Sequence, residues 1–189
     1  RMPILLSWLE KENPDVLCLQ ETKIQDKDFP VQEFEAAGYR SLFIGEKGYN
    51  GVAILSRRAA AEARVGLSGR EDREARFVSA QFGALSVINV YVPQGYKPGT
   101  EKFLYKLEWL MDLMNYIKSH YRPDQSMILS GDLNVALTDM DVYDPDGFRG
   151  QAGFHPDEQE MLKAFFEWGF VDVFRMHEPG EGNYTFWDY

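Results

Sequence analysis

Three short apolar runs, Val16–Gln20, 85–90 and 127–131, each lead straight into a polar residue: Glu21, Tyr91 and Asp132. Apolar side chains at nearly every position, rather than every second one, mark a strand that is covered on both faces. Such strands require covering layers on either side, so the rest of the chain has to supply helices or a second sheet. In layered α/β proteins, binding and catalytic groups gather where strand ends meet loops, because the strands fix positions and the loops give access. One acid at a strand end is equally well a solvated residue or a helix cap; three polar ends on successive apolar strands weaken that alternative.

The intervening pattern supplies the covering elements. Residues 3–12 group Ile4, Leu5, Trp8 and Leu9 on one side, as an amphipathic helix does. Asn13-Pro14-Asp15 ends it. A short helix is expected over 31–37, stopping at Gly38, and strands over 39–44 and 51–56. Phe77–Phe82 and the run from Leu85 are separated only by Gly83-Ala84, which suits a type II′ hairpin and makes that pair antiparallel. The longest helix is expected over 101–121, with Leu104, Leu107, Met111, Met114 and Ile117 as its core stripe. His155-Pro156-Asp157-Glu158 starts a further helix that Gly169 closes. Strands joined by helices as well as by a tight hairpin imply an α/β fold with mixed sheets.

The chain has 189 residues, 44% of them hydrophobic and 14% aromatic, which excludes a disordered polypeptide. It contains no internal repeat, low-complexity tract or linker, so 1–189 reads as one domain. No apolar run approaches the ~20 residues that span a bilayer, and the start does not resemble a signal peptide. Cys18 is the single cysteine, and its apolar neighbours suggest a buried thiol in a reducing, cytoplasmic compartment. Thirty acids against twenty bases give a net charge of −10, a weak argument against a nucleic-acid partner. The charge is uneven, however: residues 139–189 hold twelve acids and three bases, whereas 57–76 hold six arginines against Glu62, Glu71, Asp72 and Glu74. A local phosphate-binding face is therefore compatible with the overall acidity.

Gly131-Asp132-Leu133-Asn134 offers a carboxylate and a carboxamide two residues apart, which share a side in an extended segment. The alternative is an Asx-type turn at the strand end. Glu21 with Asp132 would supply hard oxygen ligands, suited to Mg²⁺ or Mn²⁺ and unsuited to Zn²⁺. His120, His155 and His177 lack metal-ligand spacing and read as surface or capping residues. No nucleophile elbow, Walker loop or dinucleotide fingerprint is present. The closing Tyr184-Thr185-Phe186-Trp187-Asp188-Tyr189 is either a core strand or a set of rings placed to stack on bases or sugars.

At these residues the sequence resembles the exodeoxyribonuclease III family, the bacterial-type AP endonucleases of the endonuclease/exonuclease/phosphatase superfamily. The similarity runs through Asn13-Pro14-Asp15-Val16-Leu17-Cys18-Leu19-Gln20-Glu21-Thr22-Lys23 and Gly48-Tyr49-Asn50-Gly51-Val52-Ala53-Ile54. It continues through Val87-Ile88-Asn89-Val90-Tyr91-Val92-Pro93-Gln94-Gly95, Gly131-Asp132-Leu133-Asn134-Val135-Ala136, Trp168-Gly169-Phe170-Val171-Asp172 and the closing aromatic block. The blocks occur in order and cover essentially the whole chain. The resemblance implies an α/β fold, a two-sheet, four-layer sandwich with the site at one edge. It implies a divalent-metal site, with Mg²⁺ or alternatively Mn²⁺, formed by Glu21 with Asp132 and Asn134. Asp132 would deprotonate the attacking water, Asn134 would help hold the phosphate, and Tyr91 would contact the phosphate as charge develops. Asn50 and Gln94 would touch the DNA backbone, while Phe186 and Trp187 resemble the aromatics that line an abasic-site pocket. The implied partner is duplex DNA with abasic sites or 3′ ends, engaged by a monomer and without a membrane.

The pattern departs from the family at both ends. The family's first strand, which carries a metal-site Asn, has no counterpart here, and neither does its closing segment with a catalytic Asp and a Ser-Asp-His block. An incomplete domain with exposed sheet edges is therefore expected, and poor activity from this polypeptide alone. Three readings stay open: a DNA-repair nuclease that cleaves 5′ to abasic sites and acts as a 3′-5′ exonuclease and 3′-phosphatase; a phosphodiesterase acting on RNA, a nucleotide or a phospholipid head group; and an inactive remnant that binds DNA or a partner.

Overall fold

The computed structural model describes residues 2–67 and 74–187. Glu71 and Asp72, with Arg70 and Arg73 of the basic stretch, lie outside the described residues, as do Asp188 and Tyr189 of the aromatic block. The chain divides into two compact units, one comprising Arg1–Tyr91 with Gln125–Asp132, the other Val92–Asp124 with Leu133–Tyr189.

The first unit holds both sheets. Helix α1 (Met2–Glu12) leads into β1 (Val16–Gln20), followed by α2 (Val31–Ala36), β2 (Arg40–Ile44) and β3 (Val52–Ser56). These strands form an antiparallel sheet in the order β1-β3-β2. Strands β4 (Glu62–Val65), β5 (Phe77–Phe82), β6 (Leu85–Tyr91) and β7 (Met127–Asp132) form the second sheet, in that order. The β5–β6 hairpin is antiparallel with Phe82 opposite Leu85. Strand β7 runs parallel to β6, which requires a long intervening crossover.

Side-chain alternation along β3 explains the layering. Val52 and Ile54 pack with Val78, Ala80 and Val87 of the second sheet. Ala53 and Leu55 point the other way, to Leu9 of α1, Phe34 of α2, Phe29 and Tyr39. Every residue of β3 is buried, and truncating Ile54 to alanine would cost about 2–5 kcal/mol.

The strands expected to be covered on both faces differ in this respect. β1 is half-buried along its whole length, because among the described residues it pairs with β3 alone and forms a sheet edge. β7 is also an edge, and its Ile128 is 48% exposed. Cys18 is accordingly half-buried rather than enclosed. Burial still pushes its thiol up to about 11, partly offset by a hydrogen bond with Ser130, so the sulfur stays a protonated, unreactive thiol near neutral pH. Strand β4, unforeseen in the sequence, is exposed along its length.

The second unit contains α3 (Glu101–His120), α4 (Pro145–Phe148), α5 (Pro156–Trp168) and α6 (Val173–His177). Thr100 caps α3 by accepting from the Phe103 amide. The buried face of α3 coincides only in part with the stripe the periodicity suggests: Met114 and Ile117 are buried, but Leu104 and Met111 are exposed and Phe103, Lys106, Leu110 and Leu113 take their place. A rotated stripe that includes a lysine was invisible to an apolar count. His155 caps α5, with Glu158 closing a capping box. His120 stacks on Tyr116 and His177 ends α6, so none of the three histidines departs from the surface or capping role expected. Residues 183–187 form no strand. Among the described residues, no helix is long and apolar enough to cross a membrane.

Candidate active site

Glu21 follows β1 directly and takes a left-handed backbone (φ 53°). Its turn is held by two backbone bonds, Thr22 N–H to the Gly51 carbonyl at 3.2 Å and Lys23 N–H to the Asn50 carbonyl at 2.9 Å. The carboxylate has two partners. Tyr91 O–H donates to Oε1 at 2.5 Å, and Lys23 Nζ lies 2.6 Å from Oε2. Lys23 first, then the Tyr91 hydrogen bond, holds this carboxyl below the usual carboxylate range despite some desolvation.

Tyr91 ends β6. Burial and then the Glu21 hydrogen bond push its hydroxyl up to about 12. It therefore keeps its proton at neutral pH and donates it to Glu21 in a hydrogen bond. Arg76 lies over the ring at 4.8 Å and donates from Nη1 to the Tyr91 carbonyl at 3.1 Å; its Nε pairs with Glu74.

Asp132 ends β7 opposite Tyr91 in the parallel register. Its negative charge adds a small further upward push on the Tyr91 hydroxyl, so the two side chains are electrostatic neighbours. The preceding Gly131 (φ 128°) is required by close approach: a Cβ there would lie 2.0 Å from the Val90 carbonyl oxygen. Glu21, Tyr91 and Asp132 thus gather at adjacent strand ends of the first unit. Asn50 supports the Glu21 turn through its carbonyl, while its own side-chain amide is engaged by Glu46.

Asn89 stands one inward position before Tyr91 on β6 and is fully buried. Its Nδ2 donates to the carbonyls of Leu19 and Ala53, both at 2.9 Å, and its Oδ1 accepts from Gln20 at 2.6 Å. Both amide hydrogens and the oxygen are satisfied, across both sheets. The sequence reading passed over this residue; an asparagine inside an otherwise apolar strand was the available signal. Arg76 and Lys23 had only a general one, their positive charge.

The other expected site residues belong to the second unit. Asn134 has φ 51°, so the extended alternation from Asp132 does not carry through to it. Its Nδ2 donates to the Val92 carbonyl at 2.8 Å, and its own carbonyl accepts from Lys106 Nζ at 2.6 Å. Gln94 and Phe186 line one cavity of about 510 Å³, with Tyr96, Lys97, Phe148 and Gln151. Gln94 Oε1 accepts from the Tyr96 amide at 2.6 Å. Trp187 is 54% exposed and meets Tyr184 edge-on.

Asp141 fixes the segment that carries those rings. Its carbonyl accepts from the Thr185 and Phe186 amides, each at 3.0 Å. Its carboxylate accepts from Arg175 at 2.6 Å, from the Thr185 hydroxyl at 2.8 Å and from Thr138. Burial alone would raise this carboxyl, but Arg175, Thr185 and Thr138 outweigh it and leave it below its ordinary value.

Among the described residues, no three His, Cys, Asp or Glu side chains form a cluster able to enclose a metal. The donors present at the strand ends are carboxylates without sulfur or imidazole. That set fits a hard divalent cation held by one or two carboxylates, which completes its shell with water and substrate phosphate.

The endonuclease/exonuclease/phosphatase family pattern matches residues 4–189. The chain is 37% identical over 186 residues to an exodeoxyribonuclease of Bacillus subtilis, covering 97% of this chain and 73% of that one. It is 35% identical to a DNA-(apurinic or apyrimidinic site) endonuclease of Dictyostelium discoideum, where 96% of this chain spans 51% of the relative. Two solved structures superpose over the whole chain and 74% of their own length: an AP endonuclease from Archaeoglobus fulgidus (TM-score 0.95, 41% identity) and a 3′ phosphatase from Neisseria bound to a product DNA hairpin (TM-score 0.93, 30% identity). The two-sheet α/β class expected from the sequence is the fold these likenesses share, and the family type is divalent-metal-dependent.

Proposed function

We propose, from the premise that this chain belongs to the endonuclease/exonuclease/phosphatase family, that it is a DNA-repair nuclease hydrolysing the phosphodiester 5′ to an abasic site in duplex DNA. The same chemistry at a 3′ end gives 3′-5′ exonuclease and 3′-phosphatase activity. The observation that carries this reading is the convergence of Glu21, Tyr91 and Asp132 at adjacent strand ends.

Each side chain has a task. Asp132, exposed and at a strand end, takes the proton of the attacking water as its oxygen closes on phosphorus; the P–O3′ bond breaks on the far side, and the departing 3′ oxygen keeps the bonding pair and takes a proton from solvent to become the 3′-hydroxyl. A positioned base of this kind is typically worth about 10²–10⁴ in rate. Tyr91 turns its O–H from Glu21 to a non-bridging phosphoryl oxygen as negative charge builds there, so that the donor is already in place at the strand ends. Glu21 and Asp132, with Asn134, would hold a divalent cation, Mg²⁺ or alternatively Mn²⁺, which when bound would neutralise charge on the phosphoryl oxygens. In the second unit, the amides of Asn134 and Gln94 are suited to phosphate oxygens, with Asn50 of the first unit as a further backbone contact. Phe186 and Trp187 present rings to the sugar and bases. The protein acts as a monomer in a reducing cytoplasm, in keeping with its single half-buried cysteine.

The test is nicking of a duplex with one abasic site, in Mg²⁺, in Mn²⁺ and in EDTA, with Asp132→Asn as control. Metal-dependent nicking, weak from this polypeptide alone and lost in the variant, is expected. Cleavage of RNA in preference to the abasic duplex would move the substrate class, and folded protein that binds DNA without nicking it would overturn the enzyme reading.

A further inference from the structure

Lys106 and Glu158 form an ion pair with both side chains 0% exposed. A buried pair is costly to assemble, and two apolar residues of similar size would often do as well for stability, so its hydrogen bonds matter more than its charge. Lys106 Nζ reaches the Asn134 carbonyl at 2.6 Å and the Gln94 carbonyl at 3.2 Å. With Glu158 these make three partners for an ammonium that has three protons. Glu158 Oε2 in turn accepts from the Gly153 amide at 2.8 Å and the His155 amide at 3.2 Å. One ion pair therefore joins three separate loops of the second unit. Each of them carries something the proposed nuclease uses: Gln94, Asn134, and the Gly153 backbone on which the Phe186 ring rests.

We propose that Lys106 and Glu158 are positioning residues for phosphodiester cleavage, fixing the backbone under Asn134 and Gln94 so that both side-chain amides meet the substrate pre-aligned. This deepens the nuclease reading and rests on it. The pair touches no substrate; it acts through two carbonyls. A misplacement of about 1 Å in a positioning element can cost on the order of 10²-fold in rate, which sets the expected size of the effect.

Lys106→Met alone strands a buried carboxylate and would unfold the unit for an uninformative reason. Lys106→Met combined with Glu158→Gln removes the donor to the two carbonyls, leaves no unpaired charge, and keeps an oxygen for the Gly153 and His155 amides. In that double variant, kcat on the abasic duplex should fall about 10–100-fold with KM changed less than about threefold, at an unfolding midpoint close to the parent's. Deuterium exchange at 92–96 and 133–137 should quicken at least about tenfold while α3 stays protected. A folded double variant with parental kcat and parental exchange would overturn the proposal. Failure of the parent protein to nick would overturn the nuclease reading and the catalytic half of this one. The exchange data would then still decide the anchoring half, so the two failures are told apart.

Discussion

The Tyr91 hydroxyl, at the end of β6, reaches Oε1 of Glu21, just past β1, at 2.5 Å. These residues belong to different sheets, so the bond closes the inter-sheet layer at the point where the polar strand ends gather. It also assigns the proton: the phenol keeps it and the carboxylate accepts.

Replacing Tyr91 with phenylalanine removes that donor and leaves the ring under Arg76. Turnover on an abasic duplex should drop about 10²–10³-fold, while stability in urea falls by only about 1–3 kcal/mol, as for one hydrogen bond to a charged group. Parental turnover in Tyr91→Phe would mean the hydroxyl merely braces the sheets.

Asn89→Leu fits the apolar surroundings but leaves the Leu19 and Ala53 carbonyls without their donor. One buried and one half-buried acceptor stripped together should destabilise the first unit by about 2–4 kcal/mol, read from urea unfolding. A loss below about 1 kcal/mol would show that these carbonyls find other partners.

Asp141 links stability to pH. Its carboxyl is depressed in the folded protein, so its contribution is complete above the unfolded value of about 3.9 and is lost as pH falls through the lower folded value. Asp141→Asn should therefore be less stable than the parent at neutral pH, with the gap narrowing below about pH 4. Thermal unfolding of both proteins across pH 2–7 measures it; a gap that widens in acid would contradict the assignment.

Gly153 (φ 90°) faces the Phe186 ring, and a Cβ there would stand 2.4 Å from Cζ. Gly153→Ala should lose more than the ~0.4–1 kcal/mol that a compatible change would gain. It should also weaken binding of an abasic duplex by displacing the ring, which a fluorescence titration would detect. Unchanged affinity would remove Phe186 from the DNA surface.

Local pattern carried much of this architecture. β1, β3, β5 and the hairpin into β6 form where apolar runs and Gly83-Ala84 place them, and α5 starts at its Pro and acids. The three polar strand ends were likewise legible, because chain alternation and burial fix where a strand stops. What stayed hidden depends on distant partners. Apolar periodicity placed Leu104 and Met111 in the core along with Met114 and Ile117; it missed that the buried face of α3 contains Lys106, whose partner Glu158 lies on another helix. Their apolar runs made β1 and β7 read as enclosed; that the sheets would have exposed edges followed only from the family resemblance, because strand order is not encoded in an apolar run. Asn134 was placed by an extended alternation that its left-handed backbone breaks.

The inter-sheet layer is otherwise built mostly of apolar side chains, for which a two-residue shift preserves the apolar face. Asn89 works there as a notch: only one alignment puts its amide between the Leu19 and Ala53 carbonyls. Tyr91 and Glu21 sit one step beyond that notch on their respective strands. The placement of the polar strand ends is thus keyed from the protein's dry interior, and surface loops are free to diverge without disturbing it.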